Sequence, residues 1–201
     1  MFKNNMSAKT ADSNKGAAKK IRTVLAPELL PGCGGDFEVS IHLPPKALEY
    51  ELDMIFPSVD VKKDQVVCIL TAQKSKMKLL NWNDETALEK DLLLERFVKW
   101  ASSVREFLTG MGPEGGEGNV KYWADWIDPC SGLPANGDGN KVYGEVDGFE
   151  LMCNYKTNNA GGCKILLHPS WESAVYPATV FTNAPADVTV SVIRKFLPEM
   201  R

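Results

Sequence analysis

Histidine is almost missing from this chain: His42 and His168 are the only two in 201 residues. Five cysteines are present, an odd number at irregular positions, with no C-x-x-C pair and no Cys/His spacing of a zinc site. These absences exclude a dithiol redox motif and a disulfide scaffold, and fit a reduced, intracellular setting. No apolar run approaches the roughly 18 residues that cross a bilayer; the longest, such as residues 66–70, are strand-length. The basic excess of a nucleic-acid binder is lacking as well, with a net charge of -3. Residues 110–118 are glycine-rich but hold Glu114 and Glu117 and lack the Gly-Lys-Ser/Thr ending of a phosphate loop, so they read as a solvent loop. No nucleophile elbow pairs a serine or cysteine with either histidine.

What is present is the composition of an ordinary globular protein, 44% hydrophobic and 24% charged. Composition shifts near residue 36. Residues 1–35 carry Lys3, Lys9, Lys15, Lys19, Lys20 and Arg22 against Asp12 and Glu28, and end in Pro-Gly-Cys-Gly-Gly. A flexible basic tail is expected there, with one globular domain over 36–201. The tail has no apolar core of a secretory signal.

Phe37, Val39, Ile41 and Leu43 alternate with polar neighbours, the period of a half-buried strand, which places His42 outward. Pro44-Pro45 then starts a helix whose Leu48, Leu52 and Ile55 share a face until Pro57. Residues 65–72 read as a buried strand, and 84–109 as a long helix with Leu88, Leu92, Phe97, Trp100, Ala101, Val104 and Leu108 inward. Residues 148–155, 163–167 and 175–181 look like strands, and Pro185 opens a last helix. The fold class expected is α+β, an α/β sandwich with one mixed sheet flanked by helices.

Among candidate site residues, Asp125 and Asp128 lie three apart in a strand and so point to opposite faces; Asp128 before Pro129 suits a turn. Cys68 reads as inert core, Cys33 lies on the tail, Cys130 in a turn and Cys153 in a strand. Cys163 follows Gly161-Gly162 and precedes Lys164, whose ammonium would favour a thiolate. Read from the residues alone, it is either a reactive thiol or an ordinary strand residue. His168 at a strand end is either structural or functional.

The string Y-W-A-D-W-I-D-P-C-S-G-L at residues 122–133 does not stand alone. Before it come Ile55-Phe56-Pro57, Thr71-Ala72-Gln73-Lys74, and Trp82 ahead of an acidic helix. After it come Gly148-Phe149, Cys163-Lys164, His168 with Trp171, and Phe181-Thr182-Asn183-Ala184. This ordered set, over about residues 36–198, resembles the C-terminal domain of the CblD family of cobalamin trafficking proteins. The resemblance implies a modified flavin-nitroreductase-like fold without flavin. It also implies a non-catalytic adaptor, cytoplasmic or mitochondrial, that pairs with a CblC-type cobalamin-processing protein and helps direct cofactor to methionine synthase and methylmalonyl-CoA mutase.

On that reading Cys163 is the metal ligand, a thiolate offered to the cobalt of partner-bound cobalamin, with no cofactor bound by the chain alone. The family's Cys-Cys dipeptide after a glycine is here Gly162-Cys163-Lys164, with one sulfur. Tyr122, Trp123, Trp126, His168 and Trp171 are candidate partner contacts, the tryptophans being equally readable as core. Neither nucleic acid nor membrane is an expected partner. The competing class is a flavin-dependent nitroreductase-like oxidoreductase, which needs a cationic phosphate pocket. Arg22, Arg96, Arg105, Arg194 and Arg201 are dispersed, against that class.

Overall fold

The computed structural model describes residues 22–110 and 122–198. The sheet begins earlier than composition implies. Strand β1, Arg22–Leu29, pairs antiparallel with β2, Phe37–Leu43. It is an edge strand, mostly exposed, with two slips of register and a proline at Pro27, so it carries no alternation that a sequence could display. The tail boundary at 36 is thus corrected: residues 22–35 belong to the sheet and its turn, and Cys33 in that turn is buried. Residues 1–21, the rest of the expected tail, and most of the 110–118 loop lie outside the described residues.

The other elements follow from familiar signals. Helix α1, Lys46–Ile55, starts after Pro45, buries Leu48, Leu52 and Ile55, and stops before Pro57. The short α2, Val61–Asp64, is capped by Asp60, which accepts from the Lys63 amide at 3.1 Å. Then come β3, Val67–Lys74; α3, Asp84–Gly110; β4, Ala124–Trp126; and α4, Glu145–Cys153. The chain closes with β5, Lys156–Ala160; β6, Cys163–Leu167; β7, Val175–Thr182; and α5, Ala186–Lys195.

Five strands form one sheet in the order β1-β2-β3-β7-β4, and β5 with β6 forms a separate ribbon. The α+β class holds, but among the described residues every pairing is antiparallel, so the sheet they form is not mixed. The register explains why. His42 faces Cys68, so the connection through α1 and α2 leaves and re-enters at the same end of the sheet instead of crossing it.

Both faces of the sheet are covered. Phe37, Val39, Ile41, Ile69 and Val180 pack against α3 and α5. Cys68, Leu70, Ala72 and Phe181 pack against α1, α2 and α4. A sheet sandwiched in this way reads as a continuous apolar run, as β3 does. It also buries His42, which alternation places outward: α4 lies over that side of β2, and the side chain is 1% exposed.

Two elements differ from their patterns. Residues 148–155, apolar and short enough to suggest a strand, contain the end of helix α4, with Gly148, Phe149 and Met152 on one buried face. In α3 the first half is inverted. Leu88 and Leu92 are 62% and 46% exposed, whereas Glu89, Leu93 and Arg96 face inward. Glu89 accepts from the Ser75 hydroxyl and the Lys76 amide, pinning the loop after β3. Arg96 bonds Asp36 at 2.8 Å and lies over the Phe37 ring. No helix of the described residues is long and apolar enough to cross a membrane.

Arg96 is buried but Asp36 is partly open to solvent, so loss of this charge-assisted hydrogen bond costs about 1.5–3 kcal/mol. Asp36→Ala is therefore expected to lower the unfolding free energy by about 2 kcal/mol in urea denaturation, and Asp36→Asn by less.

Candidate functional site

The site is built on the β5–β6 ribbon. Lys156 pairs with Leu167 at its foot and Ala160 with Cys163 at its tip. Gly161 and Gly162 close it with φ of +57° and +89°. Both values lie in the left-handed region, the requirement of a two-residue hairpin turn whose twist matches the strands. Cys163, the first residue of β6, is exposed at this tip. Lys164, next in the strand, points to the other face. Its ammonium meets Asp147 and Glu150 of α4. The support that a neighbouring lysine would lend a thiolate is thus directed elsewhere: Lys164 straps β6 to α4.

The feet of the ribbon are held by one side chain. Glu38, on β2, accepts from the Tyr155 hydroxyl at 2.6 Å through Oε1 and bonds His168 Nε2 at 3.1 Å through Oε2. Tyr155 immediately precedes β5 and His168 immediately follows β6. The Ser170 and Trp171 amides donate to His168 Nδ1, which assigns the ring proton to Nε2. The imidazole stacks on Trp171 with centroids 3.9 Å apart and meets the Tyr155 ring edge-on. Burial and the Glu38 carboxylate raise the Tyr155 phenol, keeping it neutral.

Cys163 opens onto a groove of about 380 Å³ whose apolar wall includes Leu79, Leu80, Trp82, Val146 and Pro177. Trp82 is 97% exposed, with the Lys90 ammonium 5.7 Å from its ring centre. A larger, more polar hollow of about 730 Å³, reached by Lys78, Lys156 and His168, lies along the same ribbon. Among the described residues, no three of His, Cys, Asp and Glu gather at one point to hold a metal.

The aromatic string does not form an outward surface. Trp126 is buried, Trp123 sets its ring edge against Phe56, and Tyr122 packs on the core beside α3 and α5. Residues 123 and 126 consequently serve opposite faces of the sheet. His168 is buried and Trp171 lies half-buried on it. Asp128 makes the expected turn, accepting from the Cys130 and Ser131 amides. Asp125 is inside, holding the Asn136 amide and side chain. Cys130 is exposed in its turn and Cys68 is sealed in the core, where burial raises its thiol.

Cys153 ends α4 rather than sitting in a strand. Its sulfur is 3.3 Å from Ser40 Oγ and 3.5 Å from His42 Nε2. Burial pushes this thiol up to about 11 and His42 down to about 4, so both are neutral near pH 7.

A second polar group has only a faint sequence signal. Glu145, at the start of α4, accepts from Thr179 Oγ1, while its Oε1 and the Tyr143 hydroxyl are buried without partners. The residue is half-buried as a whole, but its carboxyl end is sealed, and burial pushes it up to about 8. A Cβ on Gly148 would lie 2.0 Å from the Tyr143 oxygen, so only glycine fits there. The sole signal was register: Glu145, Phe149 and Met152 are spaced i, i+4, i+7 on one face. Trp82, the outward indole, was signalled only by its polar setting, Asn81-Trp82-Asn83-Asp84.

The class of protein this defines is an antiparallel α/β sandwich presenting one thiol on a clamped ribbon. The model of the methylmalonic aciduria and homocystinuria type D protein family matches residues 3–195, and the chain belongs to that family. It is 30% identical over 159 residues to the cobalamin trafficking protein CblD of Mus musculus, covering 79% of this chain and 49% of that one. The Homo sapiens protein of the same name is 30% identical over 151 residues, 75% of this chain and 47% of its own length. The chain spans about half the length of the curated relatives it matches.

Two outcomes test this geometry. A carboxyl whose folded pKa is raised makes the fold take up a proton relative to the unfolded chain between about pH 4.5 and 8. Stability therefore falls as pH rises through that window, at up to about 1.4 kcal/mol per pH unit. Glu145→Gln should remove this slope, so that its advantage over the parent grows from pH 5 to 8 in urea denaturation and then levels off. Glu38→Ala should speed amide exchange in the β5–β6 ribbon at least about tenfold while leaving β3 protected, as expected for loss of two anchoring hydrogen bonds.

Proposed function

We propose that this chain acts in intracellular cobalamin trafficking as a non-catalytic adaptor. It binds a CblC-type cobalamin-processing partner and offers the Cys163 thiolate to the cobalt of the cobalamin held by that partner, directing cofactor toward methionine synthase and methylmalonyl-CoA mutase. Family membership supports the trafficking role, through relatives named cobalamin trafficking protein CblD. The observation that carries the residue assignment is the exposed Cys163 at a tight turn, on a ribbon anchored at both feet and opening onto an apolar groove.

The chemistry is consistent with that role. Cobalt in a corrin accepts a soft axial donor, and thiolate sulfur is such a donor. The cobalamin is cargo, carried by the partner, so the adaptor needs only an outward sulfur and a surface around it. On this reading the scaffold is a nitroreductase-like sandwich put to a use other than flavin chemistry, in the cytoplasm or the mitochondrion.

The test is a visible absorption titration of the full chain into CblC-type partner loaded with cobalamin. A shift to the spectrum of a thiolato-cobalamin is expected with the parent protein and is expected to vanish with Cys163→Ala. The same shift in Cys163→Ala, or no shift with the parent protein, would overturn the ligand assignment.

A further inference from the structure

We propose that the polar hollow along the ribbon binds a small thiol peptide with two carboxylates, of the glutathione kind, which caps Cys163 as a mixed disulfide. The inference stands apart from the adaptor reading and adds to it a reversible block on the sulfur.

The register of the ribbon fixes what its outer face carries. Lys164 and Leu166 are turned to α4 and the core. Cross-strand partners share a face, and alternate residues return to it. Lys156 with Leu167, Asn158 with Ile165, and Ala160 with Cys163 are therefore three rungs on the opposite side. The two lower rungs and Ala160 line the hollow of about 730 Å³. The groove at Cys163 shares Leu80, Ala160, Ile165 and Ser173 with it, so the two are continuous. From Ala160 to Lys156 is roughly 13 Å along the strand, a span that one arm of a tripeptide and the Lys156 side chain cover between them.

The polar groups of the hollow match such a ligand in number and sign. Lys78 and Lys156 suit two carboxylates, Glu172 suits one amine, and Asn154 and Asn158 suit two amide links. Lys156 has no ion pair among the described residues. Lys78 meets Glu172 at 3.6 Å with both side chains mostly exposed, a loose pair that a ligand exchanges at little cost. Ser173 points to a polar occupant. It is 7% exposed, it lies in the lining of both hollow and groove, and its hydroxyl has no hydrogen-bond partner among the described residues. A buried hydroxyl without a partner carries a cost that a polar ligand removes. Where thiols are kept reduced, glutathione is the pool that sets their state.

Charge also separates Cys163 from the other exposed thiol. Among the described residues no carboxylate lines the groove at Cys163, whereas Asp84 and Asp91 share a hollow with Cys130. After burial, Asp128 and Asp91 are what raise the Cys130 thiol. An anionic disulfide is thus drawn to one sulfur and repelled from the other.

The step balances with the oxidised peptide as sole oxidant. The Cys163 thiolate attacks one sulfur of the peptide disulfide, a protein–peptide S–S bond forms and the peptide S–S bond breaks. The second peptide leaves as a thiolate and takes up the proton that Cys163 gave up. Cys163 is oxidised, the leaving peptide is reduced, and free peptide thiol reverses the exchange. While capped, the sulfur is not a thiolate and is withheld from a metal.

The full chain is treated with oxidised glutathione and followed by intact mass and peptide mapping. Uptake of one glutathionyl group, removable by dithiothreitol, is expected at Cys163 at least about tenfold faster than at Cys130. Lys78→Glu/Lys156→Glu should slow the reaction at Cys163 about tenfold, and added salt should slow it in the parent. The neutral 2-hydroxyethyl disulfide should react at Cys163 equally fast in both proteins. Capped protein should give no thiolato-cobalamin shift with the loaded CblC-type partner until the cap, and then the reductant, has been removed.

Equal rates of parent and double variant with oxidised glutathione, or capping of Cys130 as fast as Cys163, would overturn the site. A double variant slowed equally toward both disulfides would assign the effect to the thiol or the fold and overturn it as well. A cobalt–sulfur shift from fully capped protein would overturn the block. No shift from uncapped protein would overturn the adaptor's ligand assignment and leave the glutathione rates standing, so the two readings fail separately.

Discussion

The presentation of Cys163 depends on one carboxylate. Glu38 is the point at which both ends of the β5–β6 ribbon are tied to the main sheet, through Tyr155 on one side and His168 on the other. A two-stranded ribbon is marginal by itself in water. With about 3.3 Å of rise per residue, the five residues of β6 span roughly 16 Å, so a loose foot would be amplified at the tip. The clamp answers that with two hydrogen bonds to a carboxyl group, a ring stacked on Trp171, and the Lys164 strap to α4. Cys163 is thereby an exposed residue with a restricted position, a combination a free loop could not supply.

The clamp is available only because the sheet is covered on both faces. Glu38, Ser40 and His42 project on the side of β2 that an ordinary two-layer fold would leave in water. Here α4 and the ribbon lie over them, and each polar group must find a partner or remain neutral. Glu38 finds Tyr155 and His168; Ser40 and His42 find Cys153. Glu145 finds only Thr179 and is held protonated by burial near neutral pH. The apolar interior beneath α4 therefore also holds polar groups kept low in charge, and Glu145 among them costs stability as pH rises.

The sequence made the scaffold visible where one physical signal dominated. The helix stop at Pro57, the amphipathic second half of α3, the ribbon strand 163–167 and the turn at Asp128 were all legible, each from a local cause. The failures have physical reasons as well. β1 is a mostly exposed edge strand with two slips of register, so it carries no periodic signal. Glu89 and Arg96 satisfy long-range partners at Ser75 and Asp36, and their burial pushed Leu88 and Leu92 outward against the expected polarity. His42 followed the alternation rule and was misplaced because that rule assumes one wet face. Within the site, Cys163 was legible from its glycines and from the family resemblance. Glu38 and Trp82, which hold and flank it, were not, because their roles depend on residues far away in sequence.

The arrangement of the two histidines bears on what the thiol can do. Nucleophilic catalysis by cysteine needs a base within hydrogen-bonding reach of the sulfur. His168 has both ring nitrogens engaged, by Glu38 and by the Ser170 and Trp171 amides, and His42 lies neutral against Cys153 inside the fold. Neither lines the groove at Cys163. The one imidazole–thiol pair is thus the buried one, with its thiol raised and its imidazole lowered, the reverse of an activated dyad. The exposed sulfur stands beside apolar and aromatic walls instead. On the reading proposed above, that sulfur meets a metal brought by another molecule, and coordination is how a metal activates a thiol. In that proposed role the fold fixes the position of the sulfur and leaves the chemistry to the cargo.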